Sequence, residues 1–172
     1  ANVDYKISLV SGIYEVLVNR SGGAIMQKNL ELLGPITYTA EEEAFGKAIQ
    51  KATGKPEVGM DASIKPLRET QETPGGGSTD VGDVSWNVPN INLGVTVAPK
   101  GTPWHSWAVV ACGGMSIGHK GMIYASKALG MTAVDLFENP KMLLDVKEEF
   151  KMRKGDEVYM PMIEGPPPIG QN

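Results

Sequence analysis

The chain has 172 residues, 41% hydrophobic and 21% charged, with a net charge of −4, the size and make-up of one soluble globular domain able to bury a core. Lysines and arginines are scattered, so no basic face is offered to the phosphates of a nucleic acid, and no apolar run reaches the roughly 18 residues of a membrane span. A single cysteine excludes an internal disulfide; with no basic-plus-apolar leader at the start, this points to a reducing cytoplasm.

The chain opens on "NVDYKISLV", where Val3, Tyr5, Ile7 and Leu9 alternate with Asp4, Lys6 and Ser8. That is the period of a half-buried strand. A strand needs neighbours to pair with and a face to cover, and few period-two segments follow, so this strand is expected to be an orphan of a larger sheet. Past "SGIYEVLVN" the period becomes helical: Ile25, Met26, Leu30 and Leu33 share a face, and Gly34-Pro35 stops the helix. Thr39 with Glu42 forms a capping box. It opens a helix with the stripe Ala44, Phe45, Ala48, Ile49 and Ala52, ending at Gly54. Residues 55–79 carry no period and run into "TPGGGSTD", a long loop with a glycine hinge, of the sort that is functional or mobile.

"INLGVTVA" (91–98) reads as a buried strand and "WAVVACG" (107–113) as a second apolar stretch. "HKGMIYASKALGMTAVDLF" (119–137) reads as a helix whose small residues let a neighbour come close. Asn139-Pro140 opens a last helix through about Lys154, with Leu143, Val146 and Phe150 inward and Gly155 as the stop. The tail "EGPPPIGQN" is expected to be extended, stiffened by its prolines. Mixed helices and strands give the class α/β, one layered domain plus the orphan strand.

Residues 101–122, "GTPWHSWAVVACGGMSIGHKGM", hold both histidines and the cysteine. His105 and His119 stand 14 apart, which is no helical ligand pair, and a zinc site draws three or more ligands. His105 has two readings: a surface or structural histidine, or a site residue, because it lies in a turn after a predicted strand, where open α/β sheets present ligands. His119 opens a helix, where positive charge is disfavoured; it is a plain first-turn residue or, neutral, a donor toward an anion. Cys112 reads as packing. In "GGGSTDVGDVSW" (75–86), Asp80 and Asp83 lie near Ser78, Thr79 and Ser85. Paired carboxylates bind metal or share a proton; equally, Asp and Ser cap short helices after glycine turns. The stretch lacks the lysine of a phosphate loop.

Three stretches carry a resemblance: "GGGSTDVGDVSWNVPN", "GTPWHSW" and "SIGHKGMIYASKALGMTAVDL". They resemble the aminobenzoyl-glutamate branch of the amidohydrolase family, which holds zinc carboxypeptidases, aminoacylases and succinyl-diaminopimelate desuccinylase. "VSGIYEVLVNRSGGAIMQKNLELLG" resembles that family's return from its small inserted domain into the catalytic one, so the resemblance covers nearly the whole chain.

The resemblance implies an α/β catalytic domain with an inserted lid or dimerisation domain. It also implies two divalent metals, usually zinc, and a glutamate base acting on the bridging water that attacks an amide carbonyl. Residues 1–18 would be the last lid strand and 19–172 the C-terminal part of the catalytic domain. His105 matches a late metal ligand, about sixteen residues before Gly121 in the last catalytic helix. Ser78, Thr79, Asp80 and Asp83 match a stretch lining the active site, with His119 beside it. The family's early histidine, bridging aspartate and Glu-Glu pair have no counterpart, since "EEE" at 41–43 is off pattern. The chain is therefore expected to hold no catalytic residue of its own, to be nearly free of metal and to be inactive alone. Its expected partners are a missing N-terminal half, a second copy in a homodimer of the full protein, and a small amide substrate. For an acidic substrate it offers few cations beyond Arg20, Lys100 and Lys120. Two other readings stand beside this one: a separate subunit completing a site with an N-terminal partner, and a non-enzymatic binding module using the glycine-rich rim.

Overall fold

A computed structural model describes residues 3–7, 9, 11–68 and 77–163. Among these residues six helices follow one another: α1 (Arg20–Leu33), α2 (Ala40–Ala52), α3 (Val81–Ser85), α4 (Trp107–Gly113), α5 (Ser116–Glu138) and α6 (Pro140–Lys154). The long α5 is the hub, packed against α1, α4 and α6, while α1 also meets α6. The prolines of the tail lie outside the described residues, as does most of the glycine hinge.

Helices α1, α2 and α6 begin where local chemistry says they should. Asn19 caps α1 by accepting from the Gly22 amide at 2.8 Å, and its own amide donates to the Val146 carbonyl of α6 at 2.8 Å. Thr39 and Glu42 form the capping box of α2, both halves made. Asn139 caps α6, with Pro140 at its first position. A second cap crosses between helices. The Glu149 carboxylate of α6 accepts from the free amides of Arg20 at 3.0 Å and Ser21 at 2.6 Å, where the α1 dipole favours negative charge. On the buried face of α1, Asn29 donates to Thr132 at 3.1 Å and Asp135 at 2.8 Å of α5. Met26 of α1 and Ile117 of α5 are fully buried, each contributing roughly 1.5–3 kcal/mol by leaving water.

The α/β expectation is overturned: among the described residues there is no strand and no sheet. Residues 3–7 are irregular, with Tyr5 85% and Ile7 83% exposed, so the orphan strand does not form. Alternation marks which face of a strand would be apolar, but the backbone becomes a strand only when a neighbour supplies the ladder, and no described segment supplies one. The same holds for 91–98. That segment is half-buried but unpaired; Thr96 ties it by donating to the Asp61 carbonyl at 2.6 Å. It crosses α5 so closely that a Cβ on Gly121 would lie 2.6 Å from the Thr96 carbonyl oxygen. The apolar stretch at 107–113 is helix α4, burying Ala108 and Cys112, one turn apart.

The inward face of α2 also differs from the expected stripe. Ala44, Ala48 and Ala52 are exposed, and Glu42, Gly46, Ile49 and Gln50 are buried. The two polar residues tolerate burial because both are satisfied. Gln50 accepts from the Gly59 amide at 2.8 Å and donates to the carbonyls of Gly59 at 3.2 Å and Lys100 at 3.0 Å.

Candidate functional site

The residues singled out in the sequence fall in three places. The first is α3. Ser78, Thr79 and Asp80 are exposed ahead of it, and the Thr79 hydroxyl accepts from the Val81 amide at 3.3 Å. Asp83 and Ser85 face the chain before α1: Asp83 accepts from the Tyr14 amide at 3.1 Å and Ser85 from the Leu17 amide at 2.8 Å. Trp86 donates to the Glu15 carbonyl at 2.9 Å. Gly82 is what lets the two segments meet, since a Cβ there would collide with the Tyr14 carbonyl oxygen. Asp83 and Ser85 therefore serve a backbone clip, satisfying amides that no ladder satisfies.

The second place is the turn before α4. Gln50 anchors its root at Lys100, and Thr102 closes it by donating to the Pro99 carbonyl at 2.7 Å. His105 stands exposed at its end with φ 58, the one non-glycine residue with positive φ among the described residues. Histidine visits this region more readily than most side chains, yet the conformation still costs about 1 kcal/mol. Such strain persists where the surroundings impose it, and it clusters at functional sites.

The third place is the start of α5. His119 is exposed in its first turns and lines an open cavity of about 520 Å³ with Leu33, Ile36, Lys120, Ile123 and Lys127. Lys120 is fixed there. Its ammonium donates to Glu42 and to the Thr37 carbonyl at 2.6 and 2.9 Å and lies 5.6 Å from the Tyr38 ring centroid. Lys120 is the first cause of a Glu42 carboxyl held down at about 2, helped by the Thr39 amide and the Ser116 hydroxyl. Burial, with Glu42 and Glu43 nearby, pushes the Tyr38 phenol up to about 12. Cys112 is fully buried in the cluster with Ile49, Ala108 and Ile117, and burial raises its thiol.

Among the described residues, no group of three His, Cys, Asp or Glu side chains is placed to hold a metal ion. The described residues do not make a complete metal centre, and among them none joins His105 as a fellow ligand. Sequence reading missed the ion pair between buried Glu42 and half-buried Lys120, and the buried Gln50. Glu42 was visible as a cap, but its partner is 78 residues away, and nothing local marks Gln50 as buried. Among the described residues, no helix is long and apolar enough to cross a membrane.

The chain is 30% identical over 168 aligned residues to a p-aminobenzoyl-glutamate hydrolase subunit of Escherichia coli (strain K12), covering 83% of this chain and 35% of that protein. It is 30% identical over 88 residues to Xaa-Arg dipeptidase of Homo sapiens, covering 51% of this chain and 20% of that one. No family model and no solved structure matches it. The resemblance carried by the three motifs holds: the chain is a relative of amidohydrolase- and peptidase-type enzymes, and it spans about a third or less of the two relatives' lengths.

Proposed function

We propose that this chain is part of a hydrolase that cleaves the amide between an acyl or aroyl group and an amino acid such as glutamate. Water adds across the C–N bond, leaving a carboxylate and a free amine. The observation that supports this most is the 30% identity to an aminobenzoyl-glutamate hydrolase subunit, extending over 83% of the chain. We assign His105 as one ligand of a zinc site, with Ser78, Thr79, Asp80 and His119 lining the substrate side and Asp83 holding its segment in place through the Tyr14 amide. Its exposure and positive φ support a histidine held out for a ligand rather than one packed into the fold. A lone histidine does not hold zinc, which needs at least three protein ligands. The others would come from polypeptide matching the rest of the relative's length, or from a second copy of the protein. The 172 residues by themselves are expected to hydrolyse nothing and to retain no stoichiometric zinc.

The test uses the polypeptide carrying these residues together with the remaining matched length, assayed on p-aminobenzoyl-glutamate. His105→Ala should abolish hydrolysis and lower bound zinc, while His119→Ala keeps the zinc. Loss of zinc in the second variant with retention in the first would sink the ligand assignment. A wild-type protein inert toward every N-acyl and N-aroyl amino acid would sink the hydrolase reading.

A further inference from the structure

We propose that α5 pairs with α5 of a second copy of this chain, the two helices running antiparallel. Ser126, Gly130, Ala133 and Phe137 recur at intervals of four, three and four, the spacing of one helix face, and all four are exposed. Phe137 is 89% exposed, and Met122, Ile123, Leu129 and Val134 on either side of this line are between 46% and 58% exposed. A helix apolar on all sides is one that expects neighbours on all sides. Among the described residues, α1, α4 and α6 pack against α5 and still leave this face open.

The glycines of α5 divide in two. Gly118 and Gly121 serve contacts inside the chain, a Cβ on either coming to 2.6 Å from a carbonyl oxygen, of Cys112 and of Thr96 respectively. Gly130 serves none, for a Cβ there would meet no described atom within 4 Å. Only proline is a poorer helix former than glycine, so a mid-helix glycine in open space marks a neighbour from outside. The Ser126 hydroxyl donates to the Met122 carbonyl at 2.9 Å, so covering it strands no polar group.

The order of sizes selects a second copy as that neighbour. Laid against itself in reverse, the line sets Phe137 over Ser126 at both ends and Gly130 against Ala133 in the middle. Large meets small at each end, and the backbones come close at the centre. A parallel pair would stack Phe137 on Phe137 and bring Lys127 toward Lys127. The exposed apolar side chains offer on the order of 500 Å² per copy, about 1,000 Å² in the pair, the low end of a specific interface. The pairing rests on α5 alone and stands whatever reaction the protein catalyses.

Analytical ultracentrifugation of the 172-residue chain tests it. Between about 1 and 200 μM the chain should pass from monomer to dimer, with a dissociation constant on the order of 10 μM for so small an interface. Phe137→Ser and Ser126→Phe should each weaken the dimer at least about tenfold. Mixing the two variants should restore it, because each mixed pair again sets Phe opposite Ser, a rescue that misfolding would not give. Gly130→Leu should raise the urea midpoint of the monomer, since leucine favours the helix, and yet abolish the dimer. A wild type still monomeric at about 200 μM would give the face to a different polypeptide and overturn the proposal. So would a dimer indifferent to all three substitutions, or a mixture that stays monomeric.

Discussion

Helix α1 and the segment around residues 3–9 carry equally regular hydrophobic patterns, one of helical and one of strand period, yet only the first is buried. Ile25 and Met26 are 8% and 2% exposed, whereas Val3, Tyr5, Ile7 and Leu9 range from 65% to 85%. The difference lies in where each backbone finds its hydrogen bonds. A helix closes them within its own sequence and needs help only at its ends; Asn19 and Glu149 provide that help for α1. A strand cannot close its bonds alone, so its pattern is a statement about a partner. Where extended segments are ordered in this protein, single polar side chains substitute for the ladder, as Gln50, Thr96, Asp83 and Ser85 do.

That contrast can be tested at three points. The largest effect is expected at Gln50, where replacement by Ala strands the Gly59 amide and the Gly59 and Lys100 carbonyls. A loss of roughly 3 kcal/mol follows from leaving buried polar groups unpaired, measured as a lower urea midpoint at unchanged slope. A loss under about 1 kcal/mol would mean that the loops hold themselves.

Glu149→Gln should come next, at about 1–2 kcal/mol near neutral pH. Burial by itself would raise the Glu149 carboxyl, but the Ser21 and Arg20 amides, then the Ser21 hydroxyl and Arg153, hold it at about 2. A folded value below the ordinary carboxylate value of about 4.3 means that the group stabilises the fold above about pH 4.3. That contribution is lost as pH falls toward 2. The stability gap between wild type and Glu149→Gln should therefore close over that window, and a constant gap would refute the charge-based cap.

The smallest effect probes the exposed side of the contrast. Ile7→Ser should change stability by less than about 0.5 kcal/mol, because Ile7 is 83% exposed. A loss above about 1 kcal/mol in the same urea experiment would show the alternating segment buried after all.

The same contrast explains which parts of the fold were legible in the sequence. The starts of α1, α2 and α6 and the glycine stops follow from residues within a turn of each boundary, and these readings hold. The strand at 91–98 fails because its pairing was to be supplied by unspecified neighbours. The α2 stripe holds at Phe45 and Ile49 but fails at its alanines, because hydrophobicity misjudges Glu42 and Gln50, whose burial depends on Lys120 and Lys100, 78 and 50 residues away. Of the candidate site, the motifs carry the likeness to hydrolases, which a relative confirms, and they name its proposed pieces. The geometry that would assemble those pieces is not local. Asp83 and Ser85 look alike as site residues or clip residues until Tyr14 and Leu17 are seen against them.

One consequence of α2 reaches both histidines. From its C-terminal half Gln50 grips the root of the 101–106 turn, and from its first turn Glu42 grips Lys120, the residue next to His119. The helix is a yoke across two arms that also meet directly, where Ala108 and Cys112 of α4 pack with Ile117 of α5. A shift of the turn carrying His105 is therefore coupled to the opening of α5 by two routes, one through α2 and one through α4, and cutting one grip of α2 leaves the second in place.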